Sequence, residues 1–135
     1  MADANRFPTA QEVVDQADLL SPNQYSQEQK LQWLGELEGR IYLDVKLASE
    51  QELEQVWQSW PGTLTVGWPH SDVYLHWLLA KLHQANGELE LYQNRMESFN
   101  TSYQNYVNWY IRTYDPAHAS DAAGALGAGP TDVQE

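Results

Sequence analysis

Apolar residues recur along this chain mostly at helical spacing. Val13, Val14 and Ala17 share one side of a segment that Thr9 is placed to cap, which predicts a short helix through about Asp18. Ser21-Pro22-Asn23 then breaks the pattern. Ser26-Gln27-Glu28-Gln29 has the form of a capping box, and Leu31, Leu34, Leu37, Ile41 and Val45 follow on one helical face. Trp33 and Leu37 add an i,i+4 pair. Gly35 and Gly39 sit inside this helix, where each costs about 1 kcal/mol against Ala. Their spacing puts them on one face, open to close approach by a neighbouring helix.

Ser49-Glu50-Gln51-Glu52 repeats the start signal before a short helix carrying Leu53, Val56, Trp57 and Trp60. Pro61-Gly62 ends it, Thr63-Leu64-Thr65-Val66 reads as a short extended piece, and Gly67-Trp68-Pro69 closes that segment. Ser71 is the expected cap of the next helix, with Asp72 near its positive end and Val73, Tyr74, Trp77, Leu78 and Leu82 on its apolar face. Asn86-Gly87 interrupts. Beyond it Leu89, Tyr92, Met96, Phe99, Tyr103, Tyr106 and Tyr110 alternate by three and four, the seam of one helix about 38 Å long. The seam is aromatic and flanked by Gln, Asn and Ser, which favours packing within the domain over a dimeric coiled coil.

After Asp115-Pro116 the pattern stops. Residues 117–135 are rich in Ala and Gly, carry Asp121, Asp132 and Glu135, and contain no Lys or Arg. They read as a flexible acidic arm. The expected fold is therefore all-α. It is a small helical bundle with a long C-terminal helix, a short irregular or extended segment near 61–70, and a C-terminal arm. The expected division is an N-terminal arm with a short helix (1–21), a helical core (22–116) and the Ala/Gly-rich arm (117–135).

Composition narrows the function. A chain of 135 residues fits one domain. The net charge of -12 argues against a surface that binds nucleic acid or anionic membranes. No apolar run could span a bilayer, and no signal core opens the chain, so a soluble, unexported protein is expected. There is no cysteine. His76 and His83 lie seven residues apart, too far along a helix to chelate one ion, and Asp72 and His76 read as a surface pair. No nucleophile elbow and no phosphate loop is present. The acidic residues Glu50, Glu52 and Glu54 read as a solvated face rather than a catalytic pair. No enzyme activity, cofactor or metal is expected. Six Trp and eight Tyr exceed the needs of a polar chain and suit protein interfaces.

Three blocks, taken in order, carry a resemblance. They are Tyr25 to Tyr42 (YSQEQKLQWLGELEGRIY), Asp72 to Lys81 (DVYLHWLLAK) with Asn86-Gly87-Glu88, and Tyr92 to Tyr103 (YQNRMESFNTSY) running into Trp109 to Tyr114 (WYIRTY). Over residues 22–116 the chain resembles the head–tail connectors, or adaptors, of tailed bacteriophages. The likeness lies in helix order and aromatic positions, not in a chemical motif. It implies a homo-oligomeric ring, usually of twelve copies, beneath the portal protein. Such a ring extends the DNA channel, docks a tail or stopper protein, and has no catalytic residues. It would be assembled in the host cytoplasm and reside in the head–tail neck of the virion. In that family a C-terminal arm often reaches into the portal, but here the arm offers only Leu126 and Val133 as apolar anchors.

Five residues are the candidates for assembly contacts: Trp57, Trp60 and Trp68, beside the weakest helical pattern, and Leu126 and Val133 in the arm. The alternative function is a small acidic regulator, such as a DNA mimic, that binds a basic partner and weakens with salt.

Overall fold

A side-chain oxygen meets a free backbone amide at the start of each of the first three helices. The computed structural model describes residues 6–114, and among these there are five α helices and no strand. They are α1 (Ala10–Leu20), α2 (Gln27–Arg40), α3 (Glu50–Ser59), α4 (Asp72–Ala85) and α5 (Leu89–Tyr114). Thr9, Ser26 and Ser49 accept from the amides of Glu12, Gln29 and Glu52. The reciprocal bond that completes a capping box is made by Glu12 and Glu52, whereas α2 shows only the Ser26 half. Ser71 differs from expectation: its backbone is already helical and its hydroxyl caps nothing, because the chain enters α4 through a turn in which Val73 N–H donates to the His70 carbonyl.

Helix α4 is the centre of the core. Val73, Tyr74, Leu78, Leu79 and Leu82 are buried on it, and α1, α2 and α5 all lie against it. Gly87, at φ 78°, lets the chain turn back from α4 into α5, a conformation that a side chain disfavours. His83 Nδ1 lies 2.8 Å from Glu88 Oε1 across that turn. The α5 seam is used inside the molecule. Phe99 lies 5.3 Å from both Trp77 and Tyr103, and Phe99, Tyr106 and Val107 are buried. Burial on this scale contributes about 1.5–3 kcal/mol per large side chain.

The stretch expected to be an N-terminal arm contributes α1 to this core, with Ala10, Val13, Val14 and Ala17 buried. Residues just before α1 lie along the segment after α3: Leu64 N–H donates to the Pro8 carbonyl and Trp68 N–H to the Arg6 carbonyl. The alternation in Thr63-Leu64-Thr65-Val66 is kept, with Leu64 and Val66 buried and Thr63 exposed. An isolated antiparallel bridge, Thr9 to Thr63, is the sheet-like pairing here. The Trp60–Pro61 and Trp68–Pro69 peptide bonds that bracket the segment are cis.

A buried polar cluster holds this extended segment to α2. Glu38 Oε1 accepts from the Tyr74 hydroxyl at 2.6 Å and Glu38 Oε2 from the Thr65 amide at 2.9 Å. Tyr74 Oη in turn accepts from the Val66 amide, and Lys46 Nζ donates to Thr65 Oγ1. Burial raises the Glu38 pKa, and the bonds from Tyr74 and Thr65 and the Lys46 charge offset this only in part. Burial and the adjacent Glu38 both push Tyr74 upward, so its phenol remains a donor. Between α2 and α3 the helix widens into a π turn, Ile41–Val45, and Leu47 sits at φ 54°.

Candidate assembly surface

Helix α3 buries none of its residues. It rests on α2, and Leu53, Val56 and Trp57 line a groove of about 470 Å³ between the two. The groove floor is made by the two glycines of α2. Over Gly35 lies the Trp60 indole, 3.1 Å from where a Cβ would stand, while a Cβ at Gly39 would meet nothing within 4 Å. The close approach that the glycine spacing suggested is therefore made by a side chain at Gly35 and left open at Gly39. Glu36, Glu50 and Glu54 give the groove an acidic lining.

The three tryptophans singled out in the sequence part company. Trp60 is half-buried and ties α3 to α2 through an Nε1–H bond to the Leu31 carbonyl at 3.2 Å. Trp57 and Trp68 are 77% and 68% exposed and lie on different surfaces. Trp57 borders the α2–α3 groove. Trp68 borders a second cleft, of about 490 Å³, with Arg6, Lys46, His70, Trp109 and Tyr114. Leu126, Val133 and the rest of the C-terminal arm lie outside the described residues.

Sequence reasoning passed over Leu19, Leu20 and Leu91 and gave Leu89 to the seam. Leu19 and Leu20 end α1, Leu89 and Leu91 begin α5, and all four are exposed. The bond from Tyr25 Oη to Asn86 Oδ1 at 2.9 Å brings the α1–α2 loop beside the α4–α5 turn, so these leucines share one end of the bundle. Tyr114 and Trp68 lie at the other end, about 38 Å away along the 26 residues of α5. Leu19 and Leu20 were legible as apolar residues following the last position of the α1 stripe. Leu89 was assigned to the seam, but the seam faces the core only from about Met96 onward.

The described histidines each sit beside a polar or aromatic neighbour of the fold. Asp72 Oδ2 lies 3.5 Å from His76 Nε2 and accepts from Ser102 Oγ at 2.9 Å, joining α4 to α5. His70 packs at a tilt against Trp109, ring centres 5.3 Å apart. Among the described residues no three His, Asp or Glu side chains gather as a metal-binding group. Compared with known proteins, the chain matches no family model, no curated protein and no solved structure.

Proposed function

We propose that this protein is a structural component of a tailed phage, a head–tail adaptor that forms a ring under the portal protein and docks a tail or stopper protein. The observation that carries the reading is the exposure of large apolar side chains of unlike kind at opposite ends of the bundle. The leucine end is formed by Leu19, Leu20 and Leu89, and the aromatic end by Trp68 and Tyr114. Two different patches on one molecule suit a head-to-tail contact, which closes into a ring when copies are related by rotation. Covering an indole as exposed as Trp57 or Trp68 contributes about 2–3 kcal/mol. The net charge of -12 suits a channel wall along which DNA slides instead of sticking.

Native mass spectrometry of the protein alone, and mixed with the portal encoded beside it, tests the reading. A ring-sized species, free or on the portal, is expected. Monomer in both samples, with no portal complex, overturns it. A second reading, the acidic regulator of a basic partner, draws on Glu36, Glu50 and Glu54 around the apolar groove. It requires a complex that weakens sharply as salt rises.

A further inference from the structure

The cleft at the carboxyl end of α5 is cationic in a protein that is otherwise strongly acidic. Arg6 and Lys46 line it together with His70, Trp68, Trp109 and Tyr114, and none of the described residues that line it is Asp or Glu. Lys46 stands 4.6 Å over the Tyr42 ring and Arg6 Nε donates to the Trp68 carbonyl. A guanidinium carries five N–H donors and an ammonium three, so each keeps capacity for a carboxylate. The neighbouring carboxylates are Glu52, which lines an adjoining depression with Tyr42 and Lys46, and Glu38, which the Thr65 amide and Tyr74 hydroxyl occupy.

Tyr114, the last residue of α5, is itself part of the cleft wall. The sequence that leaves this point runs for 21 residues, carries Asp115, Asp121, Asp132 and Glu135, and has no Lys or Arg. We propose that residues 115–135 dock into the cleft of their own chain, carboxylates against Arg6 and Lys46 and small Ala and Gly residues across Trp68 and Trp109. Twenty-one residues tethered at the cleft wall can reach every part of it, because a chain spans up to about 3.3 Å per residue, and tethering sets an effective concentration in the millimolar range. Docking of this kind covers Trp68, and any partner of the aromatic end must displace it. The inference rests on the charges and geometry of the cleft and holds whether or not the chain builds a ring.

The absence of cysteine makes the test direct. Thr131→Cys in the full chain accepts one nitroxide label, and the indole N–H signals of the six tryptophans report its position. At low salt, where the Debye length is about 30 Å, selective loss of the Trp68 and Trp109 signals is expected, while Trp57 is spared. The signals should return near 1 M salt, where that length is about 3 Å, and in the Arg6→Glu variant at low salt. Tenfold dilution should change nothing. Broadening indifferent to salt and to Arg6→Glu overturns the proposal, as does equal broadening at Trp57. Broadening that fades on dilution overturns docking within one chain.

Discussion

Lys30 lies in the buried face of α2, its side chain 3% exposed, and reaches Asp18 at 2.8 Å. Removing Asp18 takes from the Lys30 ammonium its charged acceptor, so Asp18→Ala should cost about 1.5–3 kcal/mol in urea unfolding. Lys30→Met should cost less, because Asp18 is one-third exposed and rehydrates. Two carboxyls give the protein opposite responses to pH. Burial pushes the Asp18 pKa up, but bonds from Lys30 and Asn23 and the Lys30 charge outweigh it, and the net shift is downward. The native state then releases this proton more readily than the unfolded state. The stability it contributes is present above the unfolded value and is lost as pH falls through the folded one. Glu38 is shifted upward, so across the interval between its unfolded and folded values the native state binds more protons, and stability declines as pH rises. Unfolding midpoints over a pH series should show a flattened acid limb in Asp18→Asn. In Tyr74→Phe, Glu38 loses a donor, and the decline should extend to higher pH. An acid limb unchanged in Asp18→Asn would refute the first assignment. None of this was legible in the sequence. Lys30 and Glu38 look like ordinary surface charges, and only the arrival of α1 and the 63–66 segment against α2 buries them.

At the scale of elements, the helices were legible because their signals are local. Hydroxyls stand at the N-caps of α1, α2 and α3, and the three-four spacing of α5 survives as a continuous helix. Ser71 failed as a cap because the preceding turn, which a cap rule does not see, had already set its backbone. What the spacing of Gly35 and Gly39 could not say was which neighbour would use it. The two positions lie one turn apart on the same face and differ chiefly in that neighbour, so they form a paired test. Alanine at either gains about 1 kcal/mol of helix propensity. At Gly39 the new methyl meets open space, and Gly39→Ala should be stabilising by about that amount. At Gly35 it meets the Trp60 ring at 3.1 Å, and the indole is held by its bond to the Leu31 carbonyl. Overpacking of this kind costs about 1–3 kcal/mol, so Gly35→Ala should be neutral or destabilising and should shift Trp60 fluorescence. Equal gains at both sites would mean that α3 and Trp60 move away freely. Helix α3, with no buried residue, would then be a weakly held flap over α2.

For the whole molecule, the candidate surface was only partly visible in advance. Trp57 is exposed although it belongs to the apolar stripe of its helix, and Trp68 is exposed beside a proline outside any helix. The leucine end could not be read, because it exists only once the α1–α2 loop and the α4–α5 turn are brought side by side. That end also distinguishes the two functional readings. Copies that each carry a net charge of -12 repel one another, and what would draw them together in the proposed ring is apolar contact. Salt screens the repulsion and leaves the contact in place, so self-association should strengthen as salt rises. A complex between an acidic regulator and a basic partner responds in the opposite sense, because salt screens the attraction that forms it. Leu19, 83% exposed, adds little to the fold, so Leu19→Glu should leave the melting temperature unchanged. Placed at a copy-to-copy contact, the same substitution inserts a charge into an apolar patch and should abolish the ring-sized species on the portal. Sedimentation of the wild-type protein and the Leu19→Glu variant with portal, at low and high salt, reads both effects together. A ring that survives Leu19→Glu would remove the leucine end from the interface, and assembly that weakens with salt would favour the regulator instead.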